Sequence, residues 1–314
     1  MNAIASRSVF VEAGGIRLHA VVDEPPQRAG ALPIPDVLVL HGFTGAAESM
    51  EGVARGLASF ARVARLDLVG HGQSDAPDAP AAYAMEACAT QIADAARALG
   101  FERPHLLGYS MGGRAALAAA IARPEAFASL VLVGATAGIA DPTARAERIA
   151  ADAALADSIL QGGLERFVDA WMAQPLFASQ ARLGPELLER ARRQRLTNRP
   201  HGLAHSLRGM GAGAQAPLHA RLERFRGPVL LVVGGEDAKF RAIASELARS
   251  LPDARVEVIA GVGHAAHLEA PDRFAELAQV FLASLRSRST GVAAPQTVSV
   301  ADSQASRSSR GGRS

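Results

Sequence analysis

A serine, an aspartate and a histidine, which together can make a serine hydroxyl reactive, occur in this chain in that order. Ser110 lies between Gly108 and Gly112. Glycines at these positions suit a sharp turn from a strand into a helix, because a Cβ there would collide with the neighbouring backbone. Asp237 and His264 each follow a short apolar run. The order predicts a triad in which His264 takes a proton from Ser110 and Asp237 orients the imidazole.

Two backbone amides are candidates for stabilising negative charge that develops beside Ser110. The segment 41–45 follows an apolar run directly, and Met111 opens the helix after the serine. We therefore expect the amides of Phe43 and Met111 to form an oxyanion hole. We interpret the His41 ring as a brace for its own loop rather than as a proton carrier.

Other polar side chains near these positions leave alternatives open. Glu236 is the second choice for the acid of the triad, since its side chain is longer and lies one residue earlier. Asp67 and the turn after it are expected to form hydrogen bonds rather than to act in catalysis. One of His267 and Glu269 is expected either to line the pocket or to cap the helix that starts near Asp272.

The elements that must position these residues are short buried strands separated by helices. Two alternating segments around Gly14-Gly15 predict an antiparallel hairpin at a sheet edge, residues 9–12 and 17–22. Six almost wholly apolar runs are typical of parallel strands buried on both faces, residues 37–40, 63–68, 105–107, 130–133, 229–233 and 256–259. Helices are predicted at residues 49–59, 85–99, 111–122, 239–250 and 272–286. The pattern predicts a doubly wound α/β sheet.

The strand signal disappears between the two halves of this sheet, where the sequence becomes charged, helix-forming and punctuated by proline. A helical insertion there would cover the carboxyl edge of the sheet, where such folds bind ligands. We therefore expect a core of residues 1–138 and 223–287 with a helical cap of residues 139–222. Residues 288–314 are rich in Ser, Gly and Arg, which predicts a disordered tail.

Composition and charge exclude several classes of protein. The 314 residues are 49% hydrophobic, which is enough for one large core. A single cysteine, Cys88, excludes intrachain disulfides and C-x-x-C sites. The net charge is +2 and residues 286–314 carry +4, so the remainder carries about −2 and does not predict nucleic-acid binding.

The sequence contains no recognisable targeting segment and no motif for a metal or cofactor. No segment has the pattern of a signal peptide or a membrane span, so we expect a soluble cytoplasmic protein without a membrane partner. No His, Cys or carboxylate spacing suggests a metal site, and no motif predicts a cofactor. Nothing in the sequence indicates an oligomeric state.

Basic side chains near the predicted triad point to an anionic ligand. Lys239 is the only lysine among 33 basic residues, and it lies two residues after Asp237. It is either a ligand for an anion or a surface residue. Arg114 follows Ser110 by four residues, so one helical turn returns it toward the serine. We expect Arg114 either to bind a substrate carboxylate through two hydrogen bonds or to pair with an acidic neighbour.

Taken together, residues from about 9 to 285 resemble an α/β-hydrolase, and more narrowly the 2-succinyl-6-hydroxy-2,4-cyclohexadiene-1-carboxylate synthases of menaquinone biosynthesis. In the core the resemblance depends on residues 108–114, 235–241 and 263–269. In the cap it depends on residues 145–148, 171–177, 195–198 and 206–211. The cap motifs and the Arg and Lys positions support the narrower family, since the triad alone is shared by many chemistries.

The resemblance implies the α/β-hydrolase fold, with a mostly parallel doubly wound sheet and a helical cap insertion. It also implies a lyase that eliminates pyruvate from 2-succinyl-5-enolpyruvyl-6-hydroxy-3-cyclohexene-1-carboxylate, with the triad acting as a base. The residues implied to hold this small anionic substrate are Tyr109, Arg114, Arg148, Trp171, Arg195 and Lys239. The alternative is a carboxylesterase or carbon–carbon bond hydrolase with the same triad. A non-enzymatic receptor on this fold usually has a broken triad.

Overall fold

The structure, a computed structural model, describes residues 4–25 and 34–290, which build one eight-stranded sheet. The strands are β1 (Ala5–Ala13), β2 (Ile16–Glu24), β3 (Asp36–Leu40), β4 (Arg62–Leu66), β5 (His105–Tyr109), β6 (Leu130–Val133), β7 (Val229–Gly234) and β8 (Ala254–Ile259). Their order across the sheet is β1-β2-β4-β3-β5-β6-β7-β8. β1 and β2 pair antiparallel, β2 is antiparallel to β4, and the strands from β4 across to β8 are parallel.

The central strands are apolar because the sheet is covered on both faces. Every residue of β6 and β7 is buried. Alternate side chains of these strands, among them Leu132 and Leu231, join a hydrophobic cluster that also includes residues of neighbouring helices. Since parallel strands share one carboxyl edge, the residues after β3, β5, β7 and β8 meet at the same end of the sheet. The predicted fold class, a mostly parallel doubly wound α/β sheet, is confirmed.

The amino-terminal hairpin forms where the alternating pattern predicts it. Gly14 and Gly15 make the turn with φ of 58° and 78°, in the left-handed region that glycine enters without a steric cost. β1 lies at the edge of the sheet, beyond β2.

Ten α-helices connect or flank the strands in the described residues. They are α1 (Glu51–Leu57), α2 (Met85–Ala98), α3 (Met111–Ala122), α4 (Pro142–Gly162), α5 (Leu164–Met172), α6 (Pro185–Leu196), α7 (Pro200–Met210), α8 (Ala238–Ser250), α9 (Ala266–Glu269) and α10 (Pro271–Thr290). Within residues 4–25 and 34–290, none of the helices is long and apolar enough to cross a membrane.

The segment between β6 and β7, which we call the cap, forms helices α4 to α7 and a 3-10 helix over Pro175–Leu183. Proline stands in the first turn of α4, α6, α7 and the 3-10 helix, where its missing N–H leaves no hydrogen bond unmade. The cap has its own small apolar cluster, made of Ala156, Ile159, Phe167, Val168, Leu203, Ala204 and Leu207.

The chain divides into two compact units, Met1–Gln279 and Val280–Ser314. The cap and the sheet belong to the first. Residues 288–290 of the predicted disordered tail are helical, because α10 continues to Thr290. The rest of that predicted tail, residues 291–314, lies outside the described residues.

Candidate active site

Ser110 lies on the sharp turn between β5 and α3. Its backbone φ is 51°, in the left-handed region that a residue with a Cβ rarely adopts. A Cβ at Gly112 would lie 2.5 Å from the carbonyl oxygens of Leu40 and His41, and a Cβ at Gly108 would meet the backbone of Gly112. The two glycines therefore let the turn pack closely against the end of β3.

The three predicted triad residues come together at the carboxyl edge of the sheet. The Ser110 Oγ lies 3.1 Å from Nε2 of His264, and Nδ1 of His264 lies 2.8 Å from Oδ2 of Asp237. An ionised carboxylate only accepts hydrogen bonds, so Nδ1 carries the proton and Nε2 presents its lone pair to the serine hydroxyl. This tautomer is the one that can remove a proton from Ser110 or, through it, from a bound molecule.

Asp237 is held as an ionised carboxylate. Burial alone would raise its pKa, but hydrogen bonds from His264 and from the Phe240 amide (3.2 Å) outweigh burial and lower the pKa below its ordinary value. The Phe240 contact also caps the start of α8. Glu236, the alternative acid, instead lies at the surface and pairs with Arg182 at 2.8 Å.

The loop that carries His264 is fixed from two sides. The Glu269 carboxylate accepts hydrogen bonds from the amides of Gly263 (2.8 Å) and Ala265 (3.2 Å). On the other side, a Cβ at Gly134 would lie 2.7 Å from the His264 ring. Of the two roles left open for Glu269, the structure supports neither, because this side chain braces the histidine loop.

The predicted oxyanion hole consists of two backbone amides, those of Phe43 and Met111. Within the described residues, neither Phe43 N–H nor Met111 N–H donates a hydrogen bond, and both residues line the cavity at Ser110. His41 has both ring nitrogens engaged, since Nδ1 donates to Gly42 O at 2.8 Å and Nε2 accepts from the Leu68 amide at 3.1 Å. It therefore ties the loop after β3 to the end of β4, as expected of a brace.

A cavity of about 590 Å³ opens above Ser110, between the sheet edge and the cap. It is lined by apolar and aromatic side chains, including Trp171 and Phe177, and by three cations, Arg114, Arg148 and Lys239. A pocket of this kind suits a compact molecule that carries several negative charges.

Arg114 is the most deeply placed of these cations, with 9% of its surface exposed. Its Nη1 donates to Oε1 of Gln215 at 2.8 Å, and no ion pair within the described residues includes it. Burial, together with the nearby Arg148, lowers the pKa of Arg114 to about 10, so the side chain is still charged at neutral pH. A buried guanidinium without a carboxylate partner is ready to receive one from a ligand.

Arg148 and Lys239 are more open to solvent. Arg148 Nε donates to Asp152 at 2.8 Å, one helical turn along α4, and the other oxygen of that buried carboxylate has no partner in the described structure. Lys239 is exposed at the start of α8. Both retain donors that can face the cavity.

Arg195 does not line this cavity, although the family resemblance implies that it holds the substrate together with the other cations. It lines a second cavity of about 260 Å³, which shares only Phe43 and Tyr109 with the first. Arg195 Nη1 donates to Ala191 O at 2.8 Å within α6. Burial lowers its pKa and raises the pKa of the adjacent Tyr109.

Tyr109 packs against His267, with ring centroids 4.3 Å apart. His267 is buried and lines the second cavity. Burial and the neighbouring His264 lower the pKa of His267 to about 3, so it is a neutral packing residue. Of its two open roles, lining a pocket is the one the structure supports.

Several residues of the site escape sequence reasoning. Gln215 contacts Arg114 from 101 positions away, and Asp152, the partner of Arg148, lies in a helix that shows no unusual pattern. Glu269 does carry a signal, since it closely follows His264. Among the described residues no group of three or more His, Cys, Asp or Glu side chains is arranged to hold a metal ion.

Comparison with known proteins agrees with this geometry. The family model for the α/β hydrolase fold matches residues 35–271. A putative 2-succinyl-6-hydroxy-2,4-cyclohexadiene-1-carboxylate synthase of Bacillus subtilis (strain 168) is 41% identical over 86% of this chain and 96% of its own length. The synthase of the same name from Enterobacter sp. (strain 638) is 33% identical over 81% of this chain and 94% of its own. The solved structure of MenH from S. aureus superimposes with a TM-score of 0.80 at 29% identity, covering 85% of this chain and 98% of that one.

Proposed function

The chain belongs to the α/β-hydrolase family and, within it, to the family of the 2-succinyl-6-hydroxy-2,4-cyclohexadiene-1-carboxylate synthases, and from this premise we propose that it forms that diene. The substrate is 2-succinyl-5-enolpyruvyl-6-hydroxy-3-cyclohexene-1-carboxylate, and pyruvate is eliminated from it. The observation that carries the proposal is a single cavity that holds Ser110, its histidine and three cations.

The names of substrate and product define the bond changes. The ring C2–H bond breaks, the double bond at C3–C4 moves to C4–C5 as C2–C3 becomes double, and the C5–O bond to the enolpyruvyl group breaks. The leaving enolate takes up a proton and becomes pyruvate. C2 lies next to the succinyl ketone, so removal of its proton places negative charge on the ketone oxygen.

The triad is proposed to act as the base for this proton. Ser110, polarised by His264 at 3.1 Å, removes the C2 proton, and His264 accepts the serine proton in turn. The ionised Asp237 stabilises the imidazolium that forms. No acyl-enzyme is needed, because the reaction breaks no acyl bond.

The amides of Phe43 and Met111 are proposed to receive the ketone oxygen as it becomes an enolate. Support comes from their position on the wall of the cavity and from the lack of a protein acceptor for either N–H within the described residues. Donors that are already aligned before the charge develops contribute most to the rate.

The cations of the cavity are proposed to bind the carboxylates of the substrate, of which there are three. Arg114, Arg148 and Lys239 line the same cavity as Ser110, with Trp171 as an apolar wall. Tyr109 and Arg195 are proposed to contribute from the boundary with the second cavity. Binding energy from these remote groups orients the ring so that C2–H faces the base.

The domain division proposed from the sequence suits this chemistry, with the triad on the core and Arg148, Trp171 and Arg195 on the cap. We also place the enzyme in the cytoplasm, because a substrate with three carboxylates does not cross a lipid bilayer unaided. Fractionation of cells producing the full chain tests the location.

The reaction is tested by incubating the protein with its substrate and following both pyruvate release and absorbance of the diene. We expect Ser110→Ala to slow both signals by about 10²- to 10⁴-fold. Ser158→Ala, which removes an exposed cap hydroxyl bonded to a carbonyl of its own helix, serves as the matched control. Absence of pyruvate release, together with Ser110-dependent hydrolysis of esters or diketones, would favour the esterase or carbon–carbon hydrolase alternative.

A further inference from the structure

The loop that carries the Phe43 amide contains an unusual backbone conformation. The Gly45 amide donates to Gly42 O at 2.9 Å, which closes a four-residue turn. Its third residue, Thr44, has φ of 67° and is fully buried. That position of such a turn normally takes glycine or asparagine, so a β-branched residue persists there only when surrounding contacts hold it.

Those contacts come from the cap. The Thr44 carbonyl accepts a hydrogen bond from Nδ2 of Asn198 at 2.9 Å and a longer one from Nε2 of Gln194 at 3.4 Å. Gln194 lies in the last turn of α6 and Asn198 lies two residues beyond its end, and both side chains are buried, with 5% and 4% exposed. In the described ranges of the chain no other group donates to this carbonyl.

The orientation of the Asn198 amide is fixed by its other partners. Nδ2 also donates to Arg195 O at 3.0 Å, and Oδ1 accepts from the Gly72 amide at 3.0 Å. Because the Gly72 N–H needs an acceptor and the Thr44 carbonyl needs a donor, only one placement of oxygen and nitrogen satisfies both. One side chain therefore joins the end of α6, the turn after β4 and the loop after β3.

We infer that Asn198 is a positioning residue for the oxyanion hole. By holding the Thr44 carbonyl it fixes the turn whose second residue, Phe43, supplies one of the two amides. The cap thus orients a donor that belongs to the core. The inference rests on the proposed role of the Phe43 amide, and it does not depend on which substrate the enzyme takes.

The test uses phenylboronic acid, whose trigonal boron adds the Ser110 oxygen while the serine proton passes to His264. One oxygen of the tetrahedral adduct then occupies the oxyanion hole. We expect Asn198→Asp to weaken boronate affinity at least tenfold, because a carboxylate keeps the contact with Gly72 but repels the Thr44 carbonyl. Asn198→Ala, a second variant in case the aspartate disturbs folding, should weaken it about fivefold, and Gln194→Ala about twofold.

Thr197→Ala is the matched control, since the hydroxyl of this exposed neighbour donates to Gln194 O within the same helix end. Its boronate affinity should stay within twofold of wild type. Ser110→Ala must abolish binding, which identifies the adduct. With natural substrate, the Asn198 variants should lose kcat while KM changes less than threefold, because the donor acts on developing charge.

Unchanged boronate affinity in both Asn198 variants would overturn the inference, as would an equal loss in Thr197→Ala. If the Asn198 variants showed a higher KM for the natural substrate with an unchanged kcat, the inference would also be overturned, since that result assigns Asn198 to substrate binding. If the protein releases no pyruvate but Asn198→Asp still weakens boronate binding, the lyase proposal fails and the positioning role is supported.

Discussion

The sheet and the cap position reactive groups by different means. Ser110 and Asp237 follow the buried strands β5 and β7, and His264 follows β8, an edge strand that is only partly buried, contrary to the predicted burial of that run on both faces. Each of the three is oriented by backbone or by another member of the triad. Arg148 and Trp171 stand on cap helices with a much smaller apolar cluster. The cap meets the core through polar contacts, such as those of Asn198 and His201, and through the ring of Phe43, which packs against Phe167 and Trp171. The comparison indicates that the triad residues stand on the core, whereas the cations of the cavity come from both regions, Arg114 and Lys239 from the core and Arg148 from the cap.

The largest expected effect is a loss of kcat on replacing Asp237, the proposed acid of the triad. Asp237→Asn keeps the shape but favours the wrong imidazole tautomer, so we expect kcat to fall by about 10³- to 10⁴-fold. Glu236→Gln, one residue earlier and at the surface, should leave kcat within twofold. Steady-state pyruvate release measures both. If the Glu236 variant lost more activity than the Asp237 variant, the carboxylate that orients His264 would be Glu236 and not Asp237.

The next largest difference is expected in the free energy of unfolding, which should fall more when a leucine is truncated in the sheet than in the cap. Leu132 on β6 and Leu203 on α7 are both buried. Leu132→Ala is expected to lower the free energy of unfolding by about 3–5 kcal/mol and Leu203→Ala by about 2–3 kcal/mol, because half-buried neighbours in the cap can move into the space. Urea titration measures both, with Leu187→Ala at an exposed position as the control. A larger loss in the cap than in the sheet would reverse the comparison.

Acid should destabilise the core through its buried histidines. Burial lowers the pKa of His71 and of His267 to about 3 in the folded protein. The unfolded chain titrates near 6.5, so it binds more protons than the folded one between these values, and stability falls as pH drops below about 6.5. Each histidine contributes a slope approaching about 1.4 kcal/mol per pH unit.

Unfolding free energies at pH 7.5, 6 and 5 measure that slope. His267→Phe, which keeps an aromatic ring against Tyr109, should flatten it by the share of one histidine. An unchanged slope in this variant would mean that His267 is already open to protons in the folded state.

The smallest expected effect is the loss of unfolding free energy on removing a surface ion pair between the cap and the core. Arg190 on α6 pairs with Glu51 on α1, and the Arg190 side chain is 49% exposed. Arg190→Ala should lower the free energy of unfolding by less than about 1 kcal/mol, and by less still in high salt. Denaturant titration at two salt concentrations checks this. A loss of several kcal/mol that shrinks in high salt would make surface charge, rather than Asn198 and its buried neighbours, the main attachment of the cap.

The same contrast explains how far the sequence predicts the structure. The strands, the elbow and the meeting of Ser110, Asp237 and His264 follow from buried runs whose carboxyl ends share one edge. The place of Arg195 at a separate cavity does not follow, because nothing in the sequence sets the register across the 3-10 helix before α6. The contact of Asn198 with Thr44 spans 154 positions, and a single asparagine carries no signal for a partner so far away.

The positive φ of Ser110 also bears on how such an enzyme evolves. Glycine adopts that conformation without the strain that a serine carries, so Ser110→Gly should raise the thermal midpoint while abolishing activity. Under selection for stability alone, we expect Ser110 to be replaced by glycine, although the proposed reaction requires the serine. A serine kept at this position is therefore a record of continuing selection for catalysis, and its replacement by glycine in a descendant lineage would mark the point at which the reaction was abandoned.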